Sequence, residues 1–153
     1  MKIKLMTAKT ACPVLLVEDS PEDCEAALRA FKKSGLPSRV YHCADGDDAL
    51  DFLYGRGAYS DRATSPRPGF IVLDLNLPGT DGRQVLVEIK QDDQLKTIPV
   101  VIFTTSDHEE DVEACYQAGA NSYIKKPVDL DDFNRALLAI KQYWFDTVLL
   151  SGD

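Results

Sequence analysis

Uninterrupted apolar runs recur along the chain, and polar or turn-forming residues end each of them. Three of these runs are Val14–Val17, Phe70–Leu73 and residues 99–103. Runs of this length that stop at acidic residues, Pro or Gly are typical of strands buried on both faces of a parallel sheet. Val40–Cys43 reads as a more peripheral strand, and Ser122–Lys125 reads as the last one.

Helical patterns follow each predicted strand, with apolar residues spaced three and four apart along one face. The predicted helix starts are Ser20 with Pro21, Asp45, Asp81, the acidic stretch 107–111, and Asp129. Residues 54–69, rich in Gly, Pro and small polar residues, predict a surface loop of unusual length. Five strands alternating with five helices, joined right-handedly, predict an α/β, doubly wound parallel sheet.

Acidic residues directly follow two of the predicted buried strands. Glu18 and Asp19 come after the first strand, and Asp74 comes after the third. A lone Asp before a turn is more often a turn cap than a functional group. Because open α/β sheets bind their ligands at the carboxyl ends of the strands, two acidic strand ends predict a site at that edge.

Composition limits the partners and the compartment. The 153 residues suit one domain, 1–153, with its core over about 13–143 and an apolar extension over 144–153. Asp and Glu number 25 against 17 Lys and Arg, and the basic residues form no stripe, so we expect neither nucleic acid nor membrane as a partner. Residues 1–12 predict a loose leader without a signal sequence, and we expect a cytoplasmic protein. The four cysteines lack metal-ligand spacing and predict buried thiols.

The residues that end the strands resemble the signature of the response-regulator receiver domain. In chain order these are Glu18 and Asp19, Asp74, Thr104, and Lys126 with Pro127. The resemblance covers about residues 13–143 and implies a flavodoxin-like sheet in the order 2-1-3-4-5. In detail the chain is similar to single-domain regulators of bacterial and cyanobacterial phytochrome histidine kinases, through residues 73–83, the long loop and the aromatic stretch 143–145. Glu18 departs from the pattern, since many receivers have Asp there.

The resemblance implies a phosphoacceptor rather than an enzyme with an external substrate. Asp74 would take a phosphoryl group from the phosphohistidine of a sensor histidine kinase, and later lose it by hydrolysis. Lys126 would pair with a phosphoryl oxygen, and Thr104 would supply a hydroxyl. Since neighbouring carboxylates repel one another, a divalent cation, Mg²⁺ or Mn²⁺, is expected between them. Its implied ligands are Asp19 and Asp74 directly, Asn76 through its main-chain carbonyl, and Glu18 through water.

The resemblance also implies a conformational switch. Thr104 would turn toward the phosphoryl group, and Tyr123 would move from an outward to an inward rotamer to fill the vacated space. This motion would remodel the face made by the fourth helix, the fifth strand and the fifth helix. The alternative for Tyr123 is an ordinary strand tyrosine with its hydroxyl in water. Pro127 is expected to be cis.

Two other functions use a similar sheet. A metal-dependent phosphatase or phosphotransferase with an aspartyl nucleophile needs a second acid two residues later, where this chain has Asn76, and it needs substrate-binding cap segments. A flavin-binding or nucleotide-binding module needs a Gly-rich or Ser-rich phosphate loop after the first strand. Glu18 and Asp19 occupy that place and would repel a phosphate.

Apolar residues are also dense beyond the predicted fifth helix. From Trp144 to Leu150, five of seven residues are apolar. An exposed apolar tail of this kind marks an interface, which predicts a homodimer through the fifth helix and the tail. The alternative is that the tail folds back over the sheet edge of its own chain. With no DNA-binding output domain expected, the signal would leave through such a surface.

Overall fold

The computed structural model describes residues 12–151, so the leader expected over residues 1–12 lies outside the described part except for Cys12. Five parallel strands form one sheet in the order β2-β1-β3-β4-β5. The strands are β1 (Val14–Val17), β2 (Val40–Cys43), β3 (Phe70–Leu73), β4 (Val100–Thr104) and β5 (Ser122–Lys125). The predicted doubly wound sheet and its strand order are confirmed.

Five α-helices alternate with the strands, and their starts follow the predicted capping residues. The helices are α1 (Pro21–Lys33), α2 (Gly46–Tyr54), α3 (Gly82–Gln91), α4 (Glu109–Ala118) and α5 (Leu130–Lys141). The side chains of Ser20, Asp45, Asp81 and Asp129 each accept a hydrogen bond from a main-chain N–H of the first turn. Each cap pairs an N–H that the helix itself leaves unbonded, and each therefore fixes where a helix leaves the sheet.

The core has two layers because side chains of each strand alternate between the faces of the sheet. Val14 and Leu16 pack with α1 and α5, whereas Leu15 and Val17 pack with α2, α3 and α4. All four β1 side chains are at most 1% exposed. Both faces of the sheet are thus covered by helices, and its carboxyl-terminal edge is the place left for polar groups.

The long segment before β3 is bound to α2 by hydrogen bonds. It contains a short 3₁₀ helix, Gly57–Tyr59. The Arg62 guanidinium donates to the carbonyl oxygens of Phe52 at 2.9 Å, Leu53 at 2.8 Å and Ser65 at 3.0 Å. The bonds to Phe52 and Leu53 tie the segment to the last turn of α2.

The cysteines form no disulfide among the residues that the structure describes. Cys24, Cys43 and Cys115 are buried, as predicted, and Cys12 is only half-buried. Burial raises the pKa of the Cys43 thiol to about 12. Such thiols are neutral at physiological pH and pack as small apolar groups.

The C-terminal tail folds partly back over its own chain. A π-helical turn, Gln142–Thr147, follows α5 directly. The rings of Trp144 and Phe145 each lie with their centroid 5.3 Å from that of Phe70, and Leu150 is buried. Leu149 stays 86% exposed. The fold-back alternative therefore describes much of the tail, up to the last described residue, 151.

Over residues 12–151, none of the helices combines the length and the apolar character that crossing a bilayer requires.

Candidate functional site

The acidic strand ends meet because β1 and β3 are neighbours in register, with Val17 opposite Leu73. One carboxylate oxygen from each of Glu18, Asp19 and Asp74 lies within 4.8 Å of the other two. Glu18 and Asp74 are buried, whereas Asp19 faces solvent. The structure therefore brings these three predicted residues together at the carboxyl edge of the sheet.

The Lys126 ammonium group lies inside this acidic cluster and is itself buried. Its Nζ is 2.7 Å from Oε1 of Glu18, 3.0 Å from Oδ2 of Asp74 and 2.9 Å from Oδ2 of Asp23. An ammonium group carries three N–H donors. Each donor therefore has one carboxylate acceptor, and the third acceptor, Asp23, was not anticipated from the sequence.

Burial and the neighbouring charges shift the pKa values of this cluster in opposite directions. Burial raises the pKa of Glu18 to about 7, although the hydrogen bond from Lys126 acts in the opposite direction. Burial also lowers the pKa of Lys126, but hydrogen bonds to Glu18 and Asp23 outweigh it, and the net shift is upward. Lys126 therefore stays charged, and its hydrogen bond favours the charged form of Glu18 against the effect of burial.

The donor set fits a hard divalent cation. Three carboxylates contact the single ammonium group and Asp19 adds a fourth to the cluster, so negative charge is in excess even with Lys126 in place. Oxygen ligands of this kind suit Mg²⁺, Mn²⁺ or Ca²⁺ rather than softer metals. Asn76 lies two residues after Asp74 in an exposed part of the loop. Its main-chain carbonyl is therefore part of the loop that follows β3, as Asp74 is.

The Asp74 carboxylate has a defined orientation. Its Oδ1 accepts the main-chain N–H of Leu75 at 2.7 Å, which leaves Oδ2 toward Lys126. The start of α3 packs tightly against this loop, because a Cβ at Gly82 would lie 2.1 Å from the carbonyl oxygen of Asp74. Glycine is therefore required there for the loop and the helix to approach each other.

Thr104 ends β4 next to the cluster and is fully buried. Its hydroxyl has no hydrogen-bond partner among the residues that the structure describes. Buried hydroxyls are nearly always paired, so an unpaired one beside a polar site is suited to a ligand oxygen. The Thr104 carbonyl, by contrast, accepts the N–H of Lys126 at 2.7 Å and ties β4 to the residue that follows β5.

Tyr123 is half-buried, and its hydroxyl is not left to water. It donates to the main-chain carbonyl of Ser106 at 2.8 Å. The Ser106 hydroxyl in turn donates to Asp111 at 2.7 Å. Asp111 also accepts two hydrogen bonds from Arg83, at 2.7 and 2.8 Å. This chain of contacts joins β5, the loop after β4, α4 and α3.

Sequence reasoning missed three contacts at or near the site. The residues that make these contacts occupy ordinary places in the sequence. Asp23 lies in the first turn of a helix, Arg83 and Asp111 lie on helix surfaces, and His42 lies near the end of a strand. The Nε2 of His42 lies 2.7 Å from the Glu18 carbonyl and donates to it, since a carbonyl only accepts. Only the acidic first turn of α1, which follows an acidic strand end, could have pointed to Asp23.

The expectation that Pro127 is cis is wrong, because no cis peptide bond occurs in the described residues. A trans bond before proline is intrinsically favoured by about 0.5–1 kcal/mol. The main-chain N–H of Lys126 donates to the Thr104 carbonyl, so the residue before Pro127 lies beside β4.

Comparison with known proteins adds to this geometry. The family described as "Response regulator receiver domain" matches residues 14–139. The response regulator Rcp1 of Synechocystis sp. is 44% identical over 137 residues, which cover 90% of this chain and 91% of that protein.

Two solved structures show the same likeness. The crystal structure of the Mn²⁺-bound form of Rcp1 gives a TM-score of 0.87 at 42% identity, over 93% of this chain and 100% of that chain. The crystal structure of the phosphorylated cyanobacterial phytochrome response regulator RcpA gives a TM-score of 0.87 at 38% identity, over 92% of this chain and 99% of that one.

Proposed function

Because this chain belongs to the response-regulator receiver-domain family, we propose that Asp74 accepts a phosphoryl group from the phosphohistidine of a sensor histidine kinase. One observation carries the proposal. The Asp74 carboxylate is buried, and its Oδ2 lies 3.0 Å from the Lys126 ammonium group in a cluster rich in carboxylates. The family membership also decides against the phosphatase and the flavin-binding alternatives.

In the transfer, Oδ2 of Asp74 forms a bond to phosphorus while the bond from phosphorus to the kinase histidine nitrogen breaks. The leaving imidazole keeps the electron pair. Little covalent chemistry falls to the other residues, so catalysis is mostly positioning and charge stabilisation. Lys126 pairs with one equatorial oxygen, and the unpartnered hydroxyl of Thr104 donates to another. The chain thus promotes phosphoryl transfer to its own Asp74 and hydrolysis from it.

A divalent cation, when bound, offsets the negative charge on the transferred oxygens. We assign it to Mg²⁺, with Mn²⁺ as a substitute. The excess of carboxylates over ammonium at the site supports this assignment, as does the Mn²⁺ in the related Rcp1 structure. The proposed ligands are Asp19 and Asp74 directly, Asn76 through its carbonyl, and Glu18 through water.

The output of phosphorylation is a shift of the segment that follows β4. A phosphoryl group adds about two negative charges and three acceptor oxygens. Thr104 would turn toward it, and Tyr123, whose hydroxyl already donates to the Ser106 carbonyl in this structure, would occupy the vacated space. The remodelled surface consists of α4, β5 and α5.

The partner kinase is proposed to be of the phytochrome type, since the related protein RcpA is a cyanobacterial phytochrome response regulator. Val128, just past Pro127 at the site, is fully exposed, and Leu130 is 59% exposed. These apolar side chains border the phosphoacceptor edge and provide contact surface for a kinase. Buried thiols without disulfides are consistent with a cytoplasmic location.

A homodimer through α5 and the tail is also proposed. After Trp144 and Phe145 have packed internally, Tyr143 remains 54% exposed and Leu149 86% exposed. Leu138 on α5 adds a further partly exposed apolar side chain. The exposed apolar residues are thus fewer than the sequence predicts, and they lie on α5, on the turn that follows it and in the tail.

The proposed function is tested with the Asp74→Asn variant. Phosphoramidate, a small phosphodonor, should label the wild-type chain at Asp74 in the presence of Mg²⁺, as seen by intact-mass spectrometry. The variant should keep its fold, because an amide oxygen can still accept the Leu75 N–H, but it should take up no phosphoryl group. Acid-labile, hydroxylamine-sensitive phosphate elsewhere in the variant would overturn the assignment.

A further inference from the structure

The acidic cluster contains one carboxylate that the receiver signature does not account for. We propose that Asp23 is a positioning residue that holds the Lys126 ammonium group beside Asp74 when a divalent cation occupies the neighbouring carboxylates. This inference rests on the proposed function, because Lys126 is assigned there to the phosphoryl group. Asp23 is not one of the three carboxylates whose oxygens come together as a possible metal site.

Asp23 is placed rigidly enough to hold a partner. It lies in the first turn of α1, and its main-chain N–H bonds to the capping hydroxyl of Ser20 at 3.2 Å. Its Oδ2 is 2.9 Å from the Nζ of Lys126, although 103 residues separate the two in sequence. The N–H of Ser20 also donates to Glu18 at 3.2 Å. The same turn therefore orients Asp23 and one member of the metal-binding group.

The need for Asp23 follows from competition for oxygen atoms. Without a cation, Lys126 shares its three N–H groups among Glu18, Asp23 and Asp74. A cation at the strand ends draws on the oxygens of Glu18 and Asp74, and its charge repels the ammonium group. Because its stem is long and flexible, the Lys126 side chain would turn toward solvent if no other carboxylate held it. Asp23 is the one carboxylate of the three that stays available to it.

A second effect of Asp23 acts in the opposite direction. Its negative charge repels an incoming phosphoryl group. The Asp23 side chain is 36% exposed, however, so solvent and salt screen this repulsion at a distance. The hydrogen bond to Lys126 is direct and charge-assisted, and such bonds are the stronger kind. We therefore expect the positioning effect to dominate, and neutralising Asp23 to slow phosphorylation.

The experiment measures the rate of phosphorylation by phosphoramidate at saturating Mg²⁺. For Asp23→Asn we expect a rate lower by about threefold to tenfold, which is the effect of losing one charge-assisted contact. The Mg²⁺ dissociation constant should change by less than about twofold, since Asp23 is not a ligand. Glu22→Gln is the matched control, because Glu22 is exposed, lies in the same helical turn and carries the same charge. Its rate should equal that of the wild type.

A double-mutant cycle shows whether Asp23 acts through Lys126. Adding Asp23→Asn to Lys126→Met should cause no further loss of rate. The inference is overturned if Asp23→Asn is as fast as the wild type or faster, or if it slows the Lys126→Met variant by the same factor. Should Asp23→Asn fail to fold in thermal unfolding, Asp23→Ser gives the same comparison with a residue favoured at helix starts.

Failure of the inference is distinguishable from failure of the proposed function. If the wild-type chain takes up no phosphoryl group at Asp74, the proposed function is wrong. If the wild type is labelled and Asp74→Asn is not, the proposed function stands. The rates of the Asp23 variants then decide the positioning role alone.

Discussion

The hydroxyl of Tyr123 donates to the main-chain carbonyl of Ser106 at 2.8 Å, two residues beyond the fully buried Thr104. An aromatic side chain of β5 is thereby joined to the segment that leaves β4 for α4. Because Thr104 and Ser106 share this short segment, a movement of one residue is expected to displace the other. The contact therefore links the proposed phosphoryl site to the surface of α4 and β5.

The Tyr123→Phe variant removes this hydrogen bond and keeps the ring. We expect a loss of stability of about 0.5–1.5 kcal/mol, the usual net contribution of one hydrogen bond. Urea unfolding measures the loss, and hydrogen exchange over residues 105–108 should become faster. A Tyr116→Phe variant is the control, because the Tyr116 hydroxyl bonds to β5 but not to that segment. Unchanged exchange in Tyr123→Phe would show that the contact does not hold the segment.

The Asp19→Ala variant tests the metal site. Asp19 is the exposed member of the three-carboxylate group, so its removal should leave the fold intact and weaken Mg²⁺ binding by at least about tenfold. Isothermal titration calorimetry measures both affinities. Asp93→Ala loses the same charge at an exposed surface position and should bind Mg²⁺ like the wild type. Equal affinity in all three proteins would place the cation elsewhere.

The Asp111→Asn variant tests the link between α3 and α4 through its pH dependence. The Arg83 guanidinium holds the pKa of the Asp111 carboxyl well below its ordinary value of 3.8. A lowered pKa in the folded state means that the carboxylate stabilises the fold above pH 3.8 and loses this effect as the pH falls toward the folded-state pKa. Since Arg83 is 38% exposed, we expect only about 1 kcal/mol at pH 7.

Urea unfolding of the wild type and of Asp111→Asn at several pH values measures this difference. The gap should be widest near neutral pH and should narrow below pH 3.8. Asp107→Asn is the control, because Asp107 pairs with Lys125 at an exposed position, where an ion pair adds little. A gap between wild type and Asp111→Asn that stays constant down to acidic pH would contradict the assigned charge interaction.

The Leu149→Arg variant tests the proposed homodimer. Leu149 is exposed in the single chain, so the substitution should leave the free energy of unfolding of the monomer unchanged and weaken association. Light scattering at tens of micromolar, with and without phosphoramidate and Mg²⁺, measures the mass. A monomeric wild-type chain under both conditions would remove the support for the dimer.

A chain ending at Tyr143 answers a different question. It lacks Trp144 and Phe145, whose rings cover Phe70 at the start of β3. We therefore expect it to be less stable than the full chain, whatever its oligomeric state. For this reason the point variant at Leu149, and not the truncation, discriminates between dimer and monomer.

The elements of the fold and the acidic edge of the sheet could be predicted from local patterns in the amino-acid sequence. β1 and β3 could be predicted because a strand covered on both faces must be apolar at every position. Both strands are buried throughout. Helix starts are readable because a capping side chain bonds within its own first turn, as Ser20 does to Asp23. Glu18, Asp19 and Asp74 come together because parallel strands end at a common edge. All of these are local signals or direct consequences of strand order.

The pairing of side chains across the fold could not be predicted in this way and is visible only in the packed structure. The contact of Asp23 with Lys126 spans 103 residues and depends on how α1 is rotated against the segment after β5. The pairing of Arg83 with Asp111 depends likewise on the packing of α3 against α4. The apolar residues of the tail are consistent with either an interface or an internal surface, and only the packing of Trp144 and Phe145 on Phe70 shows that part of the tail lies internally. Such contacts depend on the distances between elements, and the periodicity of residues along the chain carries no information about those distances.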